Sequence, residues 1–148
     1  MAAQDPTSKR RSAANSGSKP LDPGLVFFID RSLGQKVIAE KLRQRGVRVE
    51  IHDDHFPQDA LDEHWIAEVG ENGWVVLTKD DRIRYRPAAL QVYRRHEVRV
   101  FIFGSGEMKA GEMADAFVKA LPKISRFAVR KAPPFFARIS RSGRVSIL

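Results

Sequence analysis

Leu25-Val26-Phe27-Phe28-Ile29-Asp30 and Trp74-Val75-Val76-Leu77-Thr78-Lys79-Asp80 decide how this chain is read, because each is a short apolar run that breaks off towards an aspartate. Continuous β-branched and aromatic runs without alternation mark strands buried on both faces, the kind found in parallel sheets. Helical patterns lie between the two, so the strands are expected to run parallel and to release their C-terminal ends on one edge of one sheet. Open α/β folds place their active sites on that edge. Two strand-end carboxylates, joined by acids from the helix between them, make an oxygen-rich pocket suited to a hard divalent cation.

Outward from the first strand, Ser32 with Gln35 three residues on has the form of a capping box, and Val37, Ile38 and Leu42 follow at helical spacing up to Gly46. Val47 to Ile51 alternates apolar and charged residues, which predicts an edge or half-covered strand. The loop His52-Asp53-Asp54-His55-Phe56-Pro57 leads to a helix expected from about 59 to 70, with Leu61, Trp65, Ile66 and Val69 as its apolar stripe and Gly73 closing the segment. Beyond Asp81, Pro87 opens a short helix, and Val98 to Phe103 reads as a fourth strand closed by Gly104. A further helix from about 109 to 121 is expected to halt at Pro122. Phe135 to Ile139 and Arg144 to Leu148 around Ser142-Gly143 form a hairpin pattern.

The predicted architecture is therefore a three-layer α/β fold with a mostly parallel four-stranded sheet over residues 23–122. A basic β extension over 123–148 is expected to pack on the same domain. Residues 1–22 are polar, small and without periodicity, and read as a disordered basic tail. At 148 residues, 43% hydrophobic, the chain is long enough for one domain with a proper core and too short to expect two. No run approaches the roughly 20 apolar residues of a membrane span, and the N-terminus lacks the apolar stretch of a secretory signal, so the expected location is the cytoplasm. The absence of cysteine excludes disulfides, thiolate zinc sites and cysteine nucleophiles.

The net charge of +8 is unevenly spread. Between Asp53 and Asp81 every charged side chain except Lys79 is acidic, whereas from Lys119 to the end every one is basic. An acidic centre flanked by basic surface suits an enzyme that holds a polyanion by its phosphates while a metal sits at the acids. Basic clusters are also what ordinary solvated helix faces look like, so the argument rests on the acids.

Asp59, Asp62 and Glu63 are expected on one face of the second helix's first turn, and that helix starts on the same sheet edge as Asp30 and Asp80. If the first and third strands are neighbours where the strand order reverses, Asp30 and Asp80 come side by side and Asp62 closes the pocket. Carboxylates about 5 Å apart repel by roughly 3 kcal/mol per pair at an effective dielectric near 20. A bound cation, or protonation of one acid, relieves that repulsion. Mg2+ or Mn2+ is the natural choice for an all-oxygen site that leaves positions open for water and phosphate oxygens, and the constellation reads as a metal-dependent nuclease site. Thr78 is placed to orient a carboxylate, and Lys79 or Arg82 to meet a phosphate. The bland alternative is that each aspartate only turns the chain after its strand.

His52, His55 and His64 show no recognised ligand spacing and read as loop and surface histidines. No phosphate-binding P-loop, dinucleotide or nucleophile-elbow motif is present, and Gly104-Ser105-Gly106 reads as a plain loop. A phosphoacceptor signalling domain would need a lysine closing the pocket from a late strand, where this chain has Gly104 and Ser105.

Phe28-Ile29-Asp30 with its following helix, Pro57 leading to Asp62-Glu63-x-Trp65, Trp74 to Asp80 with Arg82-Ile83-Arg84 after it, and Val98-Arg99-Val100-Phe101 together resemble a compact PIN-like domain, nearest to the VapC-type toxin branch of toxin-antitoxin pairs. The resemblance runs from about residue 25 to about 122. It implies a Mg2+- or Mn2+-dependent endoribonuclease acting on RNA, often dimeric and silenced by a cognate antitoxin protein. Carried over, Asp30, Asp62 and Asp80 match the family's acidic positions, with Glu63 and Asp81 as accessory metal candidates. Lys79, Arg82 and Arg84, read from their own charge and place after the third strand, are the candidate RNA-binding cations. Arg31-Ser32 follow Asp30 where relatives tend to carry another acid or an amide. A module that holds RNA or protein without turnover is the competing function.

Overall fold

Asp30 and Asp80 follow two strands that lie next to each other at the centre of the molecule. The computed structural model describes residues 25–33, 36–104 and 108–148. The polar segment 1–22, Gln35 and the Ser105-Gly106 loop lie outside the described residues. In chain order the elements are β1 (Val26–Ile29), α1 (Val37–Gln44), β2 (Arg48–Ile51), the one-turn α2 (His52–His55), α3 (Asp62–Asn72), β3 (Val75–Thr78), α4 (Pro87–Arg95), β4 (Arg99–Phe103), α5 (Ala110–Arg130), β5 (Phe135–Ile139) and β6 (Val145–Ile147). Two 3-10 turns, Arg31–Leu33 and Asp81–Tyr85, follow β1 and β3 directly.

The strands form one sheet in the order β2-β1-β3-β4-β5-β6. All pairs are parallel except the last, β5 with β6. The chain leaves β1 towards β2 on one side and returns to β3 on the other, so the order reverses between β1 and β3 and their C-terminal ends flank a crevice. The expected hairpin is part of this sheet and extends it from four strands to six.

Alternate residues of the buried strands feed two cores. Phe27, Ile29, Val75, Leu77, Phe101 and Phe103 point towards α1 and α5. Phe28, Val76, Val100 and Ile102 point towards α3 and α4, where Trp65, Ile66, Val69 and Tyr93 meet them. This is the expected three-layer α/β arrangement. It follows from strands whose side chains are apolar on both faces, since each face must then be covered by helix. β2, the alternating strand, takes the sheet edge.

Four expectations are corrected. First, α5 does not halt at Pro122 but runs through it to Arg130. Proline inside a helix removes one hydrogen bond and costs about 3 kcal/mol. Here Met113, Phe117, Ala120, Ile124 and Ala128 keep one continuous buried stripe across it, and burial of the second half outweighs the break. The boundary expected at residue 122 therefore falls inside a helix. Second, Ser32 caps no helix: α1 begins at Val37, its N-cap is Lys36 with no side-chain capping bond, and Ser32 sits in the 3-10 turn. Third, the helix expected from 59 begins at Asp62, because Pro57 to Ala60 closes a separate turn with Ala60 N–H on the Pro57 carbonyl at 3.0 Å. Asp59 is thus off the face that Asp62 and Glu63 begin.

The fourth correction is His52, which is no surface histidine. It is fully buried among the rings of Phe28, Phe56 and Trp65. Among the described residues no helix is long and apolar enough to cross a membrane.

Candidate active site

The ladder between β1 and β3 does not stop at the last strand residue. The Asp30 N–H donates to the Leu77 carbonyl at 3.0 Å, which fixes Asp30 at the sheet edge with its side chain almost buried. One Asp30 carboxylate oxygen accepts from the Thr78 hydroxyl at 2.8 Å and from the Ser32 N–H at 3.4 Å. Thr78 Oγ1 also lies 3.0 Å from Ser32 Oγ and accepts the Asp80 N–H at 3.0 Å. A hydroxyl has a single proton, and a carboxylate can only accept, so Thr78 donates to Asp30. Ser32 must then donate to Thr78, and its lone pair receives the Lys79 N–H at 3.2 Å. This relay ties the turn after β1 to the turn after β3.

Asp62 enters from the other side as the first residue of α3, where the helix dipole favours a negative charge. Its Oδ1 accepts from the indole N–H of Trp65 at 3.1 Å and from Arg31 at 3.3 Å. Arg31 is held in turn by the carbonyls of Gln58 and Ala60. Asp80 caps the second 3-10 turn: its Oδ1 accepts the Arg82 backbone N–H and the Arg82 Nε–H, each at 3.1 Å.

Between Asp62 and Asp80 stands Arg86, at the N-cap of α4. Its guanidinium forks across the two acids, Nη1 to Asp62 Oδ2 at 2.7 Å and Nη2 to Asp80 Oδ2 at 2.8 Å. The result is a cavity of about 330 Å³ lined by Asp30, Arg31, Ser32, Asp62, Trp65, Asp80, Arg82, Ile83 and Arg86.

Burial alone would raise the Asp80 carboxyl, but the hydrogen bonds from Arg82 and Arg86 outweigh it and hold Asp80 below its ordinary value. Burial likewise opposes the charge on Arg86, and Asp80 and Asp62 more than offset it, so the guanidinium is raised. Tyr93 lies fully buried beneath the site. Burial first, and then the negative field of Asp30, Asp62 and Asp80, push its phenol well above the ordinary value. Its hydroxyl has no hydrogen-bond partner among the described residues.

The structure thus brings Asp30, Asp62 and Asp80 to one cavity and leaves two of the other candidates outside it. Asp81 is paired with Arg84 at 3.1 Å and with Arg138 of β5 at 3.3 Å. Glu63 is exposed on α3. Of the candidate cations, Arg82 lines the cavity with a side chain 83% exposed, Lys79 is exposed beside it, and Arg84 is committed to Asp81 and the Tyr85 hydroxyl. Arg86, Arg31 and the Trp65 indole were not singled out by sequence reasoning as contacts of the acids. The i,i+3 spacing of Asp62 and Trp65 could have pointed to one of them.

The donor chemistry fits a hard divalent ion, being three carboxylates and hydroxyls with no nitrogen or sulfur. Even so, among the described residues no three His, Cys, Asp or Glu side chains stand ready in an ion-holding group. Arg86 spans two of the three acids.

The family model described as a PIN like domain matches residues 25–105, more than half of the chain. The chain is also 30% identical over 126 residues to "Putative ribonuclease VapC45" of Mycobacterium tuberculosis, across 82% of this chain and 91% of that protein. No solved structure matches the chain. With the strand order and the acid-lined sheet edge already in place, these two matches mean that the chain belongs to the PIN-like domain family, alongside the VapC-type proteins.

Proposed function

We propose that this protein is an endoribonuclease dependent on Mg2+ or Mn2+, and that it is the toxin of a toxin-antitoxin pair held silent in the cytoplasm by a co-expressed antitoxin. The observation that carries the reading is the meeting of Asp30, Asp62 and Asp80 in one open cavity at the point where strand order reverses. The name of the relative, "Putative ribonuclease VapC45", supports RNA as substrate.

In this reading Asp30, Asp62 and Asp80 hold the ion, and Glu63 and Asp81 are at most accessory. A divalent ion bound there would supply Lewis acidity to water and to the scissile phosphate. The chain's own residues do the remainder. Thr78 and Ser32 fix the Asp30 carboxylate, and Trp65 and Arg31 fix Asp62. Lys79 and Arg82, exposed at the mouth, draw in the RNA backbone, and Arg84 adds positive charge from its tether on Asp81.

The test is cleavage of RNA by purified protein with Mg2+ or Mn2+, abolished by EDTA and lost in Asp30→Asn and Asp80→Asn variants that still fold. One observation favours a second reading, a module that holds RNA or protein without turnover: Arg86 already bridges two of the acids. RNA binding without cleavage by the wild type would select it. Arrest of growth on expression, relieved by the product of an adjacent small reading frame, tests the toxin and antitoxin assignment.

A further inference from the structure

We propose that Arg86 is the resident counter-cation of the acidic site, competing with the divalent ion for Asp62 and Asp80, and that RNA loads the metal by drawing this guanidinium onto its phosphates. The inference rests on the metal-dependent reading above and adds the order in which the site is assembled.

Three observations carry it. The first is position. The fork of Arg86 takes one oxygen of Asp62 and one of Asp80, at 2.7 and 2.8 Å, and these are two of the three carboxylates assigned to the ion. A planar guanidinium and a dication cannot both sit between the same pair of oxygens. The second is charge. Three carboxylates, Asp30, Asp62 and Asp80, share the cavity with three guanidiniums, Arg31, Arg82 and Arg86, which pair with Asp62 and Asp80, so an incoming dication meets a site whose formal charges already sum to zero. Loading it without expelling a guanidinium leaves excess positive charge in a partly buried space, which is unfavourable.

The third observation is that Arg86 is built to leave. Its side chain is 39% exposed, against 18% for each acid it binds, and among the described residues its side-chain hydrogen bonds and ion pairs all lie at the tip. Arg31 differs, being anchored to two backbone carbonyls as well as to Asp62. A phosphodiester offers a guanidinium the same two-pronged acceptor that the carboxylates offer, so RNA is a chemically matched exchange partner. Beneath the site, the buried Tyr93 hydroxyl has no hydrogen-bond partner among the described residues in the Arg86-bridged arrangement.

Linkage makes the idea measurable. If RNA removes a competitor of the ion, RNA tightens the ion and the ion tightens RNA by the same factor. Take the full-length protein and titrate Mn2+ by electron paramagnetic resonance of the free ion, with and without a non-cleavable 2′-O-methyl RNA oligonucleotide. For Arg86→Gln we expect Mn2+ to bind about tenfold more tightly without RNA, and the RNA-induced tightening to shrink towards that left by phosphate ligation alone. Arg86→Lys keeps the charge but loses the fork, and is expected to fall between the two. Thermal unfolding gives a readout independent of turnover: Arg86→Gln should melt lower in EDTA and gain more from Mn2+ than the wild type.

Unchanged or weaker Mn2+ binding by both Arg86 variants without RNA overturns the competition. If the wild type binds Mn2+ and loses it in Asp30→Asn and Asp80→Asn while the Arg86 variants behave like wild type, this inference fails and the metal-dependent reading stands. No Mn2+ binding by any of these proteins, or binding indifferent to the two aspartates, overturns both.

Discussion

Between the sheet and α5, Phe27, Leu77, Phe101 and Phe117 pack with Ile124 and Ala128 in a layer of hydrocarbon, with Phe27 and Phe117 in edge contact at 5.2 Å. Between the sheet and α3 and α4 the layer is as well buried but chemically mixed. Trp65, Tyr93 and His52 bring polar atoms inside, and of these only the Trp65 indole and His52 Nδ1 have partners among the described residues. Buried polar groups cost stability unless they are bonded, so the second layer is the poorer choice for stability alone. It is also the layer directly below Asp62 and Asp80. The contrast is a division of labour in which the α1/α5 face anchors the sheet through apolar burial while the α3/α4 face spends stability on aiming carboxylates.

The comparison breaks if mutations on the two faces have the same signature. Phe117→Ala should have the largest effect, a loss of about 3–5 kcal/mol in urea unfolding with cleavage per folded molecule unchanged. Pro122→Ala probes the same face with the opposite sign. Restoring the missing N–H should stabilise by about 1–3 kcal/mol, read as a higher urea midpoint, if burial of Ile124 and Ala128 is what carried the helix through the proline.

On the other face, Trp65→Phe keeps the ring and removes the donor to Asp62, so a smaller stability loss of about 1 kcal/mol should come with a clear fall in cleavage by the folded protein. Tyr93→Phe should be the mildest at neutral pH, within about 1 kcal/mol, because the hydroxyl it removes has no partner among the described residues. Its signature lies in alkali. The native phenol is raised well above its ordinary value while the unfolded one ionises normally, so the native state keeps a proton that the unfolded state loses. Stability is then intact below the unfolded value and falls as pH rises above it, by up to about 1.4 kcal/mol per pH unit for this group. The phenylalanine variant should lose that component of alkaline unfolding.

Much of the fold was legible because its cause is local. Two uninterrupted apolar runs could be strands only if helices cover both sides, and the helical patterns between them dictated parallel pairing. Gly46 and Gly73 ended their helices in left-handed conformations, with φ of 81° and 71°, as glycine readily does. Pro122 misled because a local rule was set against a stripe of buried residues whose value appears only once the sheet is there to receive it. Ser32 misled for a related reason: the same hydroxyl that can cap a helix can serve a neighbouring strand end, and Thr78 lies 46 positions away in sequence. At the site, Asp30 and Asp80 could be brought together on paper from strand order. Arg86 could not, since it was one of many arginines in a basic stretch.

What the sequence by itself determined was which residues are strand and which edge of the sheet collects the acids, because hydrophobic periodicity and strand-end chemistry are written in consecutive residues; the PIN-like kind rested on the resemblance of its motifs to that family. The partner of each carboxylate was decided only in three dimensions. Electrostatic pairing depends on distance, and the 2.7 and 2.8 Å that join Arg86 to Asp62 and Asp80 exist only after α3, β3 and α4 have packed.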